Sequence, residues 1–424
     1  MKNVTSQEIE IMNEELAARF MRYVQIDTEA DPSSVTYPSS EKQKDLGELL
    51  KLELIGMGAS EVEMDQWGYV LASVPATSDR TDLPTLCFCA HMDTAPDCSG
   101  HNVEPILHRN WDGSPIILPH DTNQVLSLEN EPYLLSKIGQ NIITGSGLTL
   151  LGADDKAGIA IIMELVGYLL KNPQILHGKI RILFTPDEEI GRGVEHLDMK
   201  KLNADFGYTL DGGPLGYLED ETFSADAMTF TFHGVSAHPG YAKGIMQHAL
   251  KMASEFVFHL NKDGWSPETT EDRQGFVHPT DMKGGLEVAS VSLILRDHDT
   301  SKLDDYDRQL QALAQEIVAR FPGSYYKAER IAQYRNMKEV LSGYPFVADY
   351  AMQAMKNTGI TPTSHIIRGG TDGSKLSFMG LPCPNLFTGE MAIHSRREYV
   401  VVEDMEASLK TLVELVQIWE KHKA

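Results

Sequence analysis

Two spacings of apolar residues organise this chain. Residues 8–24 and 41–56 carry Leu, Ile, Phe and Met on one helical face and Glu, Lys and Arg on the other, which predicts two surface helices. Residues 62–75 read as short strands around a Trp67-Gly68 turn. Three apolar runs of strand length, residues 83–90, 179–186 and 204–210, each stop at acids or an imidazole: His91-Met92-Asp93, Asp187-Glu188-Glu189 and Asp211-Gly212-Gly213. Residues 154–170 predict a helix opened by two aspartates, where free N–H groups and the positive end of the helix dipole favour negative charge. The stretch 96–140 is rich in Pro, Asn, Asp and Gly and reads as an extended loop region leaving the sheet just after His91 and Asp93.

Near residue 223 the pattern changes. An alternating strand (227–233), a helix (244–260), a strand (286–296), a long acidic-basic helix (302–321) and a last strand (325–332) predict an inserted α/β sandwich of ferredoxin-like order. After Asn336 helix and strand alternate again, reach His394 through residues 382–388, and close with an amphipathic helix over 402–421. The expected architecture is an α/β domain with a central mixed sheet flanked by helices, built from residues 1–222 and 336–424 and interrupted by a second domain over 223–335. No internal repeat or low-complexity tract is present.

Bulk properties narrow the function classes. With 424 residues and 42% hydrophobic content, the chain is long enough for two or three domains with real cores. A net charge of -24, from 61 acids against 37 Lys and Arg, argues against nucleic acid and anionic membranes as partners. Cys87, Cys89, Cys98 and Cys383 lack the spacing of a structural zinc ribbon and read as buried thiols in a reducing compartment. Residues 1–16 are acidic and polar, unlike a secretory leader, and the apolar run 159–170 is too short to span a bilayer, so a cytoplasmic location is expected.

In open α/β sheets the ligand crevice lies beyond the carboxyl ends of the strands, so His91, Asp154, Glu189, Asp211 and His394 are expected to converge there. Two imidazoles and three carboxylates suit a pair of zinc ions, which at about 3.5–4 Å apart need one shared oxygen ligand. Asp154, at a helix start in the middle of the set, is the candidate bridge, with His91 and Asp211 on one ion and Glu189 and His394 on the other. A shared water or hydroxide would then be the nucleophile. Asp93, two residues past His91, can accept the second ring N–H of that imidazole and fix its tautomer. One of Glu188 and Glu189 is surplus to metal binding and can act as general acid/base, and spacing leaves open which. Taken singly, Asp154 and Asp155 could be caps and His91 a core imidazole. The coincidence of all five at strand ends and a helix start favours a site.

His91-Met-Asp93, Gly152-Ala-Asp154-Asp155-Lys156-Ala-Gly158, Thr185-Pro-Asp-Glu188-Glu189, Asp211-Gly-Gly213, His238-Pro-Gly240, Arg368-Gly-Gly-Thr-Asp-Gly373 and His394 together resemble the signatures of the co-catalytic zinc peptidase and aminoacylase family. The likeness runs in order from about residue 15 to the C-terminus. Stretches such as Pro267-Glu-Thr-Thr-Glu271 and residues 377–389 are similar to its tripeptide-cleaving aminopeptidase branch. The resemblance implies that Glu188 is the general base and Glu189 the ligand, that Asp154 bridges, and that a cis peptide joins Asp154 to Asp155. It also implies that residues 223–333 form a lid, with His238 at the oxyanion and Arg296 at the peptide carboxylate. Arg368, beside two glycines, reads as contacting substrate or balancing the acidic site, and Lys156 as a counter-charge.

One stretch departs from the pattern. Gly389-Glu390-Met391-Ala-Ile393 stands before His394 where a second Gly and a Tyr are expected, and Glu390 reads as a solvated loop acid or a partner for a substrate ammonium. The expected function is removal of the N-terminal residue from short peptides by a zinc enzyme, acting as monomer or homodimer. The rivals are a dipeptidase, carboxypeptidase or aminoacylase on the same scaffold, or an inactive metal-binding scaffold protein.

Overall fold

The computed structural model describes residues 6–260 and 264–423, so residues 1–5 of the N-terminal stretch lie outside it. The described chain forms two compact units. The first comprises Met1–Asp220, Val340–His365 and Thr371–Ala424, the second Glu221–Glu339 and Ile366–Gly370. This differs from the expected boundaries at 223, 335 and 336. Segments past residue 335 join the second unit because Asn336 and Met337 bond to Thr222 and Ser224, while the Ile367 and Phe223 amides donate to the Glu221 and Gly369 carbonyls.

The first unit is built on an eight-stranded mixed sheet. Its order is Ser60–Met64, Val70–Val74, Ile180–Thr185, Leu86–His91, Phe206–Gly212, Asn385–Phe387, Tyr217–Glu221 and Thr363–Ile366. The three strands whose apolar runs end in acids or an imidazole are neighbours. Leu86–His91 pairs in parallel with both Ile180–Thr185 and Phe206–Gly212, with His91 opposite Thr185. Parallel pairing brings their carboxyl ends to one edge.

Both faces of the central strand are buried. Leu86, Phe88 and Ala90 join the larger core with helices Ser6–Val24, Ala153–Lys171 and Val402–Glu420, whereas Cys87 and Cys89 meet Leu376, Leu381 and Cys383 on the opposite side. Continuous apolar runs are what a sheet covered on both faces requires. The cysteines are free thiols, three buried as expected and Cys98 only half-buried. Helix Ala153–Lys171 lies close on Phe206–Gly212. A Cβ on Gly158 would collide with the Leu210 carbonyl, so only glycine allows this approach.

The stretch 96–140 is not a bare loop. It contains the short strands Ile106–His108, Ile116–Ile117 and Val125–Leu126 and a two-turn 3₁₀ helix, Pro132–Lys137, over a small apolar cluster of Trp111, Ile116, Leu118, Leu126 and Leu134. Ile106–His108 and the following strand Ile142–Thr144 join Tyr399–Val401 and Glu390–Met391 in a second, four-stranded sheet.

The second unit has the ferredoxin-like order strand, helix, strand, strand, helix, strand, in an antiparallel sheet ordered Phe276–Gly284, Val288–Asp297, Ser224–His233, Tyr325–Tyr334. Helices Ala249–Leu260 and Thr300–Val318 cover one face, where Phe230, Phe232, Phe256, Leu293 and Leu310 form its core. Phe276–Gly284 is a strand beyond those expected from sequence.

Candidate active site

Five side chains separated by up to hundreds of residues meet at the carboxyl edge of the central sheet. His91 Nε2 lies 2.9 Å from Asp154 Oδ1 and 3.7 Å from Asp211 Oδ1. His394 Nε2 lies 3.2 Å from Asp154 Oδ2 and 3.0 Å from Glu189 Oε2. Asp154 thus presents one oxygen to each imidazole, with Asp211 on the His91 side and Glu189 on the His394 side. His91 ends its strand, Asp211 is the penultimate residue of Phe206–Gly212, and Glu189 lies in the turn beyond Ile180–Thr185. That turn is shaped by Asp187 at φ 57, a conformation Asp tolerates, with its buried carboxylate accepting from Ser39 N, 2.6 Å, and Gln43 Nε2, 2.7 Å.

The backbone carrying these five side chains is held by further carboxylates. Asp93 Oδ1 and Oδ2 accept from the Glu188 and Glu189 amides at 3.0 and 3.1 Å. His91 Nδ1 lies nearer the Asp93 carbonyl, 3.1 Å, than its carboxylate, 3.4 Å, so Asp93 orients the imidazole chiefly through its main chain and the two glutamates through its side chain. Asp155 accepts from the His91 amide at 3.0 Å, and the Asp154–Asp155 peptide is cis. Glu398 is fully buried and accepts from Leu151 N, Gly152 N and Asp154 N at 2.7, 2.8 and 3.0 Å. Sequence reasoning missed it, although an acid four residues past His394 and directly before Tyr-Val-Val-Val was a usable signal. Asp372, quoted only within a motif, is also buried, and accepts from Thr185 Oγ1 at 2.6 Å.

Glu390 departs from its expectation as a solvated loop acid. It is 3% exposed, because Glu390–Met391 pairs with Tyr399–Val401, and one of its oxygens lies within 4.8 Å of oxygens from Asp154 and Asp211.

Crowded acids shape the electrostatics. Burial, reinforced by Asp154, pushes the Glu189 carboxyl up to about 8, and burial raises Asp211 to about 7. Burial also raises Glu188, with Asp372, Asp211 and Glu189 adding to the effect. Hydrogen bonds to Asp154 and Glu189 lift His394 to about 11. Burial would lower His91, but Asp154, Asp211 and Asp93 raise it well above its ordinary value. Lys156, buried and donating to the Ile26 carbonyl at 2.8 Å, is lowered by burial to about 8. Glu188, Glu189 and Asp211 thus bind protons more tightly than ordinary carboxyls, whereas for Asp154 burial is outweighed by hydrogen bonds from both imidazoles, which hold it below the ordinary range. Buried oxygens of Glu189 and Glu390 have no hydrogen-bond partner among the described residues. Imidazole nitrogens, carboxylate oxygens and unsatisfied buried acceptors suit divalent cations.

The other three expected site residues belong to the second unit. His238 is exposed ahead of the turn Pro239–Tyr241, its Nδ1 accepting from Gly240 N at 3.1 Å. Arg296 donates to the Leu295 and Asp226 carbonyls at 2.9 and 3.3 Å and lies over the Tyr334 ring. Arg368, expected at substrate or as a counter-charge to the acidic site, instead ties a loop together. It donates to the carbonyls of Asp272, Gln274 and Thr270 and to Thr270 Oγ1, at 2.7 to 3.3 Å, and stacks over Phe223. Gly369 and Gly370 follow Arg368, and the backbone that its guanidinium meets is the protein's own.

Comparison with known proteins places this geometry in context. The model of the peptidase family M20/M25/M40 matches residues 150–418. A peptidase T of Bacillus thuringiensis is 45% identical over 410 residues, covering 97% of this chain and all of the relative. Among solved structures, an aminopeptidase of Bacillus cereus superposes with a TM-score of 0.74 at 23% identity, covering 96% of this chain and 99% of the other. A tripeptidase of Staphylococcus aureus does so with 0.76 at 22% identity, covering 97% and 99%. A dinuclear metal binding peptidase of Bacillus subtilis shares the fold at 0.67 and 14% identity, covering 98% and 99%. Among the described residues no helix is long and apolar enough to cross a membrane.

Proposed function

Since the chain belongs to the M20/M25/M40 peptidase family, we propose that it is a zinc aminopeptidase that removes the N-terminal residue of short peptides, tripeptides foremost, with Glu188 as general base. The observation that carries this reading is Asp154, whose two oxygens face the two imidazoles while Asp211 and Glu189 stand one on each side. His91 and Asp211 would hold one ion, Glu189 and His394 the other, and Asp154 both. Bound there, a zinc pair supplies Lewis acidity that acidifies water and polarises the scissile carbonyl.

The chain's own groups do the rest. Asp93 fixes the amides of Glu188 and Glu189, so the base and the neighbouring ligand are aimed by one carboxylate. The Glu188 carboxylate takes the proton of the attacking water and delivers it to the departing amine. Burial, with Asp372, Asp211 and Glu189 adding to it, raises its proton affinity and suits the carrying of that proton. Asp155 and Glu398 hold the backbone of His91 and Asp154 in place. The tripeptide preference rests on the branch-specific stretches at residues 267–271 and 377–389.

A tripeptide panel offered with free and N-acetylated amino ends, with metal content measured in parallel, tests the proposal. Free tripeptides should lose their first residue and acetylated ones should resist. Glu188→Gln should keep its metal and lose turnover by about 10²–10⁴-fold. Equal cleavage of acetylated peptides would remove the aminopeptidase assignment, and an active, metal-loaded Glu188→Gln protein would remove the base.

A further inference from the structure

Glu390 is fixed by a sheet and buried among ligands. Its strand pairs with Tyr399–Val401 in the register Glu390 opposite Val400, so its direction is set by the ladder. The residue is 3% exposed, and its Oε2 has no hydrogen-bond partner among the described residues. One oxygen from each of Glu390, Asp154 and Asp211 lies within 4.8 Å of the other two. Three carboxylates that close repel one another unless a proton or a cation is shared among them, and His91 Nε2 faces Asp154 and Asp211 while Glu390 Oε2 has no donor among the described residues. The buried lysine of this region is committed elsewhere, since Lys156 donates to the Ile26 carbonyl.

We propose that Glu390 is an additional ligand of the divalent ion held by His91, Asp154 and Asp211. The inference rests on the metallopeptidase reading and goes beyond it by making the two metal positions chemically unequal. The position at Glu390 has one imidazole nitrogen and three carboxylates, while the one at His394 has one imidazole and the carboxylates of Glu189 and Asp154. Oxygen-rich sets favour harder ions such as Mn²⁺ relative to zinc, so the Glu390 position discriminates less against Mn²⁺ than its neighbour does. A substrate ammonium among the same three carboxylates is the competing occupant, and it predicts no effect of Glu390 on metal binding.

The test uses the full chain stripped by chelator and titrated separately with MnCl₂ and ZnCl₂ by calorimetry, with bound metal counted by mass spectrometry. Wild type should take up two ions. Glu390→Gln should bind one ion as wild type does and bind the second Mn²⁺ about 10–100-fold more weakly, with a smaller loss for Zn²⁺. Glu390→Asp, which keeps the charge on a shorter stem, should fall between them, and it serves if the Gln variant does not fold. Second-site Mn²⁺ affinity within threefold of wild type in the variants, or a crystallographic Mn²⁺ more than about 3 Å from both Glu390 oxygens, would overturn the proposal. If wild type took up two ions and the variants bound both with wild-type affinity, only the role of Glu390 would fail. A wild-type chain that takes up none would overturn this proposal and the zinc reading together.

Discussion

Buried acids occur in both units, and those of the candidate site are answered differently from the rest. In the second unit, Asp226 is fully buried and meets Arg330 Nε at 2.6 Å and Arg335 Nη1 at 2.8 Å. Glu221 receives both terminal nitrogens of Arg273, at 2.6 and 2.7 Å, and Lys338 at 2.8 Å. Asp297 accepts from Tyr306 Oη at 2.6 Å. In the first unit, Asp154, Asp211, Glu189 and Glu390 converge with only imidazoles as cationic partners, and two of their oxygens have no donor among the described residues. An acid matched by arginine is finished as a structural element. A cluster left short of positive charge is built for a cation that the chain does not encode.

Substitutions can break this contrast from either side. The largest structural effect should come from Asp226→Ala, which removes the buried carboxylate shared by Arg330 and Arg335 while leaving Arg330 its Asp304 and Asp307 partners, and should cost the second unit about 1–3 kcal/mol in urea unfolding, with metal content unchanged. Removing the charge that holds the Asp154 backbone, by Glu398→Gln, should weaken metal affinity about 10–100-fold with little change in the unfolding of the metal-free protein. Loss of fold without loss of affinity would instead make Glu398 a purely structural residue.

Acid should produce the smallest effect. Burial alone would raise Glu221, but Arg273 and Lys338 outweigh it and hold its carboxyl near 2, below the ordinary value of 4.5. A carboxylate depressed by folding stabilises the native state above its unfolded pKa, and that contribution drains away as pH falls from about 4.5 toward 2. Wild type should therefore lose more thermal stability than Glu221→Gln between pH 5 and about 3. Parallel loss in both proteins would place the acid sensitivity elsewhere.

Legibility in the sequence followed burial. Strands covered on both faces are continuous apolar runs, so the runs before His91, Glu188 and Asp211 could be read directly, and the parallel sheet explains why their ends share an edge. Phe276–Gly284 was not readable for the opposite reason. It is an edge strand with Val277 its one buried residue, Pro279 within it and residues 280–284 exposed, so no period of two develops. The site divided in the same way. Metal-binding residue types at strand ends announce themselves, whereas Glu398 acts by accepting backbone N–H groups, a role that leaves no mark beyond an acid in apolar company. Glu390 misled because local composition said loop, and pairing with Tyr399–Val401 buries it. Arg368, expected at substrate or as a counter-charge, bonds to the backbone carbonyls of Thr270, Asp272 and Gln274 in its own chain.

The order of these parts along the chain bears on biosynthesis. His394 is made long after His91, Asp154, Glu189 and Asp211, and it follows the whole of the second unit. A ribosome-bound chain interrupted between Asp211 and His394 has four of the five candidate ligands and cannot close the position at His394. Late delivery of one imidazole thus acts as a completion signal: a nascent or truncated product stays inert toward peptides until translation has passed the final strands.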